Sequence, residues 1–373
     1  MGYARLFDLE ASAPIGRVAP ARADADKLLG LELLRFTSAL AVLFFHYRHF
    51  AHLVGMPAVG RATVPFYGLL WPLYEYGQYG VQIFWGISGY IFFWKYGAAI
   101  HAKAVAARDF FWLRFSRLYP LHLATLAAVI GLQWVHRQYT GENFIYPTDD
   151  AGLFVRQLFL ATDWGPQPPF SFNGPIWSIS AEVAVYAGFF LAVRRFGPTL
   201  QLCAAMIAAG LGMQLIGIDW VSIGCATYFF AGGLVTLIRP KPVVPAAVVL
   251  TALIGICIAT GTLGDRDKLP TIFLLAVPCL LVILTGDWSF LARWQRQVQF
   301  AGNLTYSSYL LHFPLQMALA ILVAASGAVP PLTSPWFLIA YLGGTLAIAA
   351  LSYRWLELPA QRWIRQRTIK RAG

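Results

Sequence analysis

Residues 27–50 read KLLGLELLRFTSALAVLFFHYRHF, and this stretch determines how the rest of the chain is interpreted. A run of about 20 mostly apolar residues is long enough to cross a bilayer as a helix. This run nevertheless contains Glu32 and Arg35 near one end and His46 near the other. Ionisable groups inside a membrane helix are costly, so they usually face a protein interior and serve a function there.

The spacing of these three residues places them on one helical face. Arg35 and His46 are eleven residues apart, which is close to three full turns, so their side chains project the same way about 16 Å apart along the axis. Glu32 precedes Arg35 by one turn and can neutralise it. A second interpretation stays open, in which Glu32 and Arg35 lie at the lipid headgroups and His46 only caps the other end.

The composition excludes an ordinary soluble domain. Mean hydropathy is +0.60, 58% of residues are apolar and 12% are charged, whereas soluble domains carry about 25% charged residues. The formal charge of +11 is explained by membrane topology, so no nucleic-acid partner is expected. The cysteines stand singly within apolar runs, which indicates neither a metal site nor a disulfide framework.

The hydropathy pattern predicts an all-α, polytopic membrane protein with about ten transmembrane helices. Basic residues concentrate in alternate connections, and assigning those to the inner side places both termini in the cytoplasm. We expect a cytoplasmic tail over 1–27 without a cleavable signal peptide, a membrane domain over 28–358, and a basic cytoplasmic tail over 359–373. The protein is then a multi-pass protein of the cell membrane. The predicted spans are residues 28–50, 79–97, 116–135, 174–193, 199–217, 220–238, 243–261, 270–286, 302–325 and 335–356.

Three connections are long enough to contribute to a site. The outer connections, residues 51–78 and 136–173, are rich in proline, glycine and aromatic residues, and ordered loops of this length often form binding sites. Simple surface loops are nearly as good an interpretation. The inner connection, residues 97–115, carries a cluster of basic residues.

Arg114 and Arg117 stand one turn apart at the inner end of the third predicted span. Two arginines at this spacing can bind phosphate groups as a clamp. Ordinary basic flanking of a membrane helix explains them equally well.

Glu182, within the stretch NGPIWSISAE, lies about two turns into the fourth predicted span. A carboxylate at that depth needs a partner, and Arg35 and His46 are the candidates. A purely structural Glu–Arg pair is the other interpretation. Ser88 lies in a small-residue patch that favours close helix packing, and a packed role is at least as good as a catalytic one for His312.

Taken in order, these elements resemble the acyltransferase-3 family of integral-membrane O-acyltransferases, over nearly the whole chain from Leu28 to about Arg362. Glu32, Arg35 and His46 match the family's opening acidic-x-x-Arg element and its following histidine, although the acid is usually Asp. The remaining matches are GVQIFWGISG at 80–89, with Gln82 where an acid is common, RFSRLYP at 114–120, WSISAE at 177–182, YSSYLLH at 306–312 and YRWLELP at 353–359.

The resemblance implies transfer of an acyl group, most often acetyl, from cytoplasmic acyl-coenzyme A to a hydroxyl of a sugar in a cell-surface or secreted glycan. Acyl-CoA is then a donor substrate, with no permanently bound cofactor or metal, and the other partners are a carbohydrate or glycolipid acceptor and the lipid bilayer. Some family members carry a C-terminal hydrolase-like domain. Here about fifteen residues follow Glu357, so we expect a stand-alone form.

The resemblance and the residue chemistry together predict a mechanism. Arg114 and Arg117 hold the coenzyme A phosphates, and Arg35 orients the thioester. His46 acts as general base or acyl carrier, and Glu182 orients it through a hydrogen bond. Supporting roles are expected for Glu32, Ser88, Trp177, Ser178, Tyr309 and His312.

The competing class is a transporter or flippase for a lipid-linked sugar, which buried Arg, Glu and His would suit equally well. Paired broken spans in two matching halves, typical of many transporters, are not seen in the sequence. Dependence on coenzyme A separates the two classes.

Overall fold

The computed structural model describes part of the chain, and all regular structure in that part is helical, as predicted. The N-terminal tail up to residue 21, and Arg61, Arg239 and Arg266, which enter the topology prediction, lie outside the described residues. The cytoplasmic location of both termini therefore stays a prediction. The described part is residues 22–369 except 51–59, 61–62, 147–149, 167, 239–240, 266–267 and 287.

Each predicted span coincides with a helical segment of the structure. Within the described residues, five helical segments are long and apolar enough to cross a membrane, and four further apolar helices are shorter, with 16 or 17 residues each. The protein is therefore a polytopic membrane protein. The helices are α1 (Arg22–Tyr47), α2 (Tyr67–Tyr76), α3 (Gly80–Phe92), α4 (Ala107–Thr140), α5 (Ala151–Leu158), α6 (Ile176–Phe196), α7 (Leu200–Leu215), α8 (Val221–Leu237), α9 (Val243–Ala259), α10 (Leu269–Leu284), α11 (Gln295–Ser326), α12 (Pro335–Ser352) and α13 (Leu358–Thr368).

The predicted inner loop over 97–115 is wrong. A π-helical turn over Phe93–Gly97 and a short helix over Ala98–His101 extend α3, and α4 already begins at Ala107. The sequence around this start favours a helix because Phe111, Phe115 and Tyr119 recur every four residues, and each ring stacks on the next at 5.6 and 4.4 Å between centroids. Arg108 and Arg114 therefore lie on α4, whereas Lys103 lies in the turn that precedes it.

The other predicted loops and the C-terminal tail also contain helices. The outer connection 51–78 includes α2, and the connection 136–173 includes α5, which Asp150 caps by accepting from the Leu153 amide at 2.8 Å. The predicted tail 359–373 is helical through Thr368, and this helix, α13, packs against α4.

The predicted small-residue patch packs two helices closely. A Cβ atom added at Gly89 of α3 would lie 1.7 Å from the Phe229 carbonyl oxygen of α8, and one at Gly232 would lie 1.9 Å from the Gly86 carbonyl oxygen. Only glycine allows this approach. With α3 held there, α1 packs on α3 and α11, and α11 packs on α4. The polar residues of α1, α3, α4, α6 and α11 thus face a shared interior.

Candidate active site

The N-terminal half of α1, which is its inner half in the predicted topology with the C-terminal end outermost, carries an ion pair. Arg35 Nη1 lies 3.1 Å from each carboxylate oxygen of Glu32, and both side chains are about four-fifths buried. A Cβ atom at Gly302 of α11 would lie 1.8 Å from Glu32 Oε2. The Glu32 carboxylate is therefore packed directly against the backbone of α11, inside the bundle rather than among lipid headgroups.

Glu182 of α6 interacts electrostatically with this ion pair through Arg35. Its carboxylate accepts a hydrogen bond from the Tyr186 hydroxyl one turn later, Ser88 of α3 hydrogen-bonds it, and Arg35 and Arg114 both act on it electrostatically. Of the two predicted partners, Arg35 is the one that acts on Glu182 electrostatically. The predicted hydrogen bond from Glu182 to His46 is wrong, because no contact joins these two residues and their partners lie at opposite ends of α1.

The two arginines of α4 point to different partners. Arg114 Nη2 donates to the Tyr96 hydroxyl at 2.8 Å, and its guanidinium lies over the Phe92 ring at 4.9 Å. Arg117 lies 5.9 Å from the centre of the Tyr306 ring. Since Arg114 also acts on Glu182, the pair does not form a separate surface clamp, and Arg114 belongs to the charged cluster. We call Glu32, Arg35, Arg114 and Glu182 the inner cluster.

The outer end of α1 holds a cluster of histidines. The ring of His46 lies 4.8 Å from that of His312 on α11, between centroids, and 4.9 Å from that of His49. The Nδ1 atoms of His46 and His49 are 3.0 Å apart, so one of them carries a proton and the other accepts it. Gln316 fixes the backbone by donating to the His46 carbonyl oxygen at 2.9 Å. We call these three histidines the outer cluster.

Hydrogen bonding assigns the proton of His312. Its Nδ1 lies 2.6 Å from the Tyr309 carbonyl oxygen, and because a carbonyl can only accept, Nδ1 carries the hydrogen. In the neutral ring Nε2 is then a lone-pair acceptor. This Nε2 is buried and has no hydrogen-bond partner among the described residues. A free imidazole lone pair beside His46 is an arrangement that suits proton abstraction.

Hydroxyl and aromatic side chains lie between the two clusters. The hydroxyls of Ser178 and Tyr309 are 2.7 Å apart, and the Trp177 ring packs edge-on against Trp85 at 5.9 Å. Ser178 and Trp177 thus do not contact Glu32 or Arg35. Their contacts fix α6 against α11 and α3 between the inner and outer clusters.

Residues 162–163 and 168–170 of the connection 136–173 line a cleft next to Trp177. Asp163 is 3% exposed, and its backbone amide donates to Ser180 Oγ at 2.9 Å. Burial raises the pKa of the Asp163 carboxyl above its usual range. The cleft is also lined by Gln157, Phe170 and Trp177, so it offers both polar groups and aromatic faces.

Sequence reasoning missed His49. It stands three residues after His46, which is the spacing of neighbours on a helical face, so the signal was present. The contact of His46 with His312 could not be read from spacing because 266 positions separate them.

The family of the chain is now shown by comparison with known proteins. A family model described as an acyltransferase domain matches residues 28–354, so the chain belongs to the acyltransferase-3 family of membrane O-acyltransferases. Acyltransferase MdmB of Streptomyces mycarofaciens is 32% identical over 194 residues, 50% of this chain and 45% of that protein. Peptidoglycan O-acetyltransferase OatA of Listeria monocytogenes is 23% identical over 362 residues, 83% of this chain and 55% of that protein.

The chain thus spans about half the length of these two curated relatives. No solved structure matches it.

Proposed function

We propose that the protein transfers an acyl group, in the simplest case acetyl, from cytoplasmic acyl-CoA to a sugar hydroxyl of a cell-surface or secreted glycan. Family membership supports the reaction class. The relative named peptidoglycan O-acetyltransferase supports a glycan acceptor. The proposed location is the cell membrane, with the acceptor reached from the outer side.

The observation that carries this proposal is the pairing of His46 with His312 on one end of α1, opposite the inner cluster. Acyl transfer to a hydroxyl requires a group that removes the hydroxyl proton as the oxygen attacks. His312 Nε2 has a lone pair for this purpose, and His46 stands beside it. The residues therefore supply a base at the proposed acceptor side.

In the proposed chemical step, His46 and His312 act on the acceptor hydroxyl. The acceptor oxygen attacks the acyl carbonyl carbon, an imidazole nitrogen takes the hydroxyl proton, and the carbon–sulfur bond breaks. Coenzyme A leaves as a thiolate, which takes up the proton released by the imidazolium. A base at this step contributes about 10²–10⁴-fold in rate.

Distance sets the remaining requirement. Arg35 and His46 are about 16 Å apart along α1, so a thioester oriented by Arg35 does not touch His46. In both routes the pantetheine arm extends past Arg35 as far as His46: the acceptor attacks the thioester directly, or His46 first accepts the acyl group. In the second route a ring nitrogen of His46 attacks the thioester carbon, the carbon–sulfur bond breaks and coenzyme A leaves as a thiolate. The acceptor oxygen then attacks the acyl-imidazole, the carbon–nitrogen bond breaks, and His312 takes the acceptor's proton and releases it to the thiolate.

We place the acceptor next to the cleft beside Trp177, whose volume of about 10 Å³ is the space of one water molecule. Aromatic faces pack against the apolar faces of sugar rings, and the buried Asp163 and Gln157 offer hydrogen-bonding groups for hydroxyls. Since Trp177 is followed by Ser178, which contacts Tyr309 one turn before His312, the cleft is close to the outer cluster.

The test uses membranes that contain the protein and acetyl-CoA labelled in the acetyl group. We expect label in extractable glycan or glycolipid, and its loss in His46→Ala at matched protein levels. His101→Ala is the matched control because His101 is exposed on the short helix after α3. Equal labelling by His46→Ala excludes the mechanism, and absence of labelling from several acyl donors favours the transporter class.

A further inference from the structure

The C-terminal helix α13 brings basic residues to the inner end of α4. Arg365 Nε donates to Ser116 Oγ of α4 at 3.1 Å. Ser116 stands between Arg114 and Arg117 in the chain, so α13 packs at the part of α4 that carries both arginines. The eleven residues of α13, LPAQRWIRQRT, include no acidic residue.

Arg362 lies one turn before Arg365, on the same face of α13. Its Nε and Nη2 atoms are buried and have no hydrogen-bond partner among the described residues. The adjacent Gln361 is 6% exposed, and its Nε2 atom is likewise buried without a hydrogen-bond partner among the described residues. Buried polar atoms without partners are rare and costly, most of all on a charged group, so three together require an explanation.

All three atoms are N–H donors, so the missing partner is an acceptor. Nε and one Nη of an arginine form the edge that binds two oxygens of a carboxylate or phosphate at once. The nearest acid along the chain, Glu357, accepts hydrogen bonds from Ser307 and Ser352 through Oε1, and no hydrogen bond joins either of its oxygens to Arg362. The partner that fits the charge and donor geometry of Arg362 is a phosphate group on a ligand.

We propose that Arg362, assisted by Gln361, forms an anion site on α13 that binds a phosphate group of a phosphorylated ligand at the inner end of α4. In so far as that ligand is the acyl-CoA donor, the inference rests on the proposed function. The phosphate of an anionic lipid headgroup presents the same chemistry at this position. The site would explain why a basic helix is held in the fold beside Arg114 and Arg117.

The first arm of the test measures coenzyme A binding to the purified full-length protein in a neutral detergent. Loss of a charged hydrogen bond predicts that Arg362→Gln weakens coenzyme A binding about 10–100-fold. Arg362→Lys keeps the charge but not the two-donor edge, so it should recover only part of this loss. Arg367→Gln is the matched control, because Arg367 is exposed on the same helix with its guanidinium 4.2 Å from the Trp363 ring, and it should bind as the unmodified protein does.

Dephospho-coenzyme A, which lacks the 3′-phosphate, identifies the group bound. If the unmodified protein and Arg362→Gln bind it equally, Arg362 binds the 3′-phosphate. If the difference between them persists, Arg362 binds the diphosphate. Both results support a phosphate site.

The second arm tests a lipid source. The protein is placed in nanodiscs of phosphatidylcholine with or without phosphatidylglycerol, and its thermal unfolding midpoint is measured. A rise in the midpoint with phosphatidylglycerol that is lost in Arg362→Gln, together with unchanged coenzyme A binding, assigns the phosphate to lipid. If Arg362→Gln behaves like Arg367→Gln in both arms, the inference is wrong.

Two further results separate the inference from the proposed function. Coenzyme A binding that is unaffected in Arg362→Gln leaves the donor proposal intact. Absence of coenzyme A binding by the unmodified protein contradicts the donor proposal, while the lipid arm still tests Arg362. If Arg362→Gln does not fold, Arg362→Lys and Gln361→Met give the same comparison, with Gln361→Met expected to weaken binding less.

Discussion

The two ends of α1 differ in the interactions that their polar side chains make. In the inner cluster, Arg35 forms an ion pair with Glu32, and both Arg35 and Arg114 act electrostatically on Glu182. In the outer cluster, neither His46 nor His312 contacts a carboxylate among the described residues. The His46 ring meets the His49 ring, the His312 ring donates to the Tyr309 carbonyl, and the His46 carbonyl accepts from the Gln316 side chain. One end is a balanced set of charges, and the other is a set of imidazoles.

This difference indicates different tasks for the two ends. Removing one member of a balanced buried set leaves another charge without compensation, so the inner cluster should affect stability as well as ligand binding. A neutral imidazole can accept a proton through its ring nitrogen without being a member of such a charged set. Mutations at the outer end should therefore reduce turnover while folding stays intact, and the following experiments test this contrast.

The largest effect is expected at His312. His312→Asn keeps a donor near the Nδ1 position for the Tyr309 carbonyl, whereas His312→Gln places its amide near the Nε2 position; neither has a basic nitrogen. We expect both to lower acyl transfer about 10²–10⁴-fold with unchanged donor binding. Transfer rates of purified protein measure this effect. Full activity of His312→Asn would show that His312 only donates to the Tyr309 carbonyl within α11.

The next effect is expected at Arg35. Arg35→Gln leaves Glu32 and Glu182 without their shared cation, so we expect a lower yield of folded protein and about 10–100-fold weaker donor binding. The measurements are the thermal unfolding midpoint and the KM for acyl-CoA. The double variant Glu32→Gln with Arg35→Gln should recover stability but not donor binding. Recovery of both would show that the pair is structural only.

A smaller effect is expected at His49, which we assign as a positioning residue for His46. His49→Phe removes the Nδ1 contact at 3.0 Å that fixes the proton on the His46 ring, and loss of such an orienting partner costs about 10–100-fold. We expect the lower end of this range, in kcat and not in KM. His49→Asn should rescue part of it, because its amide can replace Nδ1. Equal losses in both variants would contradict positioning through this hydrogen bond.

The contrast between the two ends also shows what the sequence could predict. The helix, the Glu32–Arg35 pair and the distance to His46 all follow from spacing along one helix, and the structure confirms the helix and the pair. The partner of Glu182 depends on how deep α6 lies beside α1. Glu182 is only six residues into α6, yet it faces Arg35 and not His46, because helix packing sets the relative depth of α1 and α6.

The C-terminal region gives a second example. The sequence of α13 shows basic residues on a polar segment, and this composition predicted a tail. In the structure Gln361 is buried, and Arg365 contacts a residue of α4 more than 200 positions earlier in the chain. Periodicity in one segment cannot identify such a partner. The basic composition was therefore read correctly, whereas the packing of this segment as a helix against α4 was not predicted.

The smallest effect is expected at Asp163, whose carboxyl acts electrostatically on Tyr309 near the outer cluster. If the imidazoles work without an orienting acid, Asp163→Asn should change the transfer rate by less than about tenfold. Burial raises the pKa of Asp163, so its ionised carboxylate destabilises the folded protein at pH values above this raised pKa. The destabilisation is lost as the pH falls through the raised pKa, because the carboxyl becomes protonated.

Asp163→Asn should therefore raise the thermal unfolding midpoint at neutral pH, and this gain should shrink as the pH falls through the raised pKa toward the ordinary aspartate value. Ser180 still accepts from the backbone amide of residue 163 in this variant, so the loop keeps its anchor. The unfolding midpoint of both proteins across a pH series checks this prediction. A large loss of kcat in Asp163→Asn with normal stability would instead make Asp163 the acid that serves the outer cluster, and the contrast between the two ends of α1 would fail.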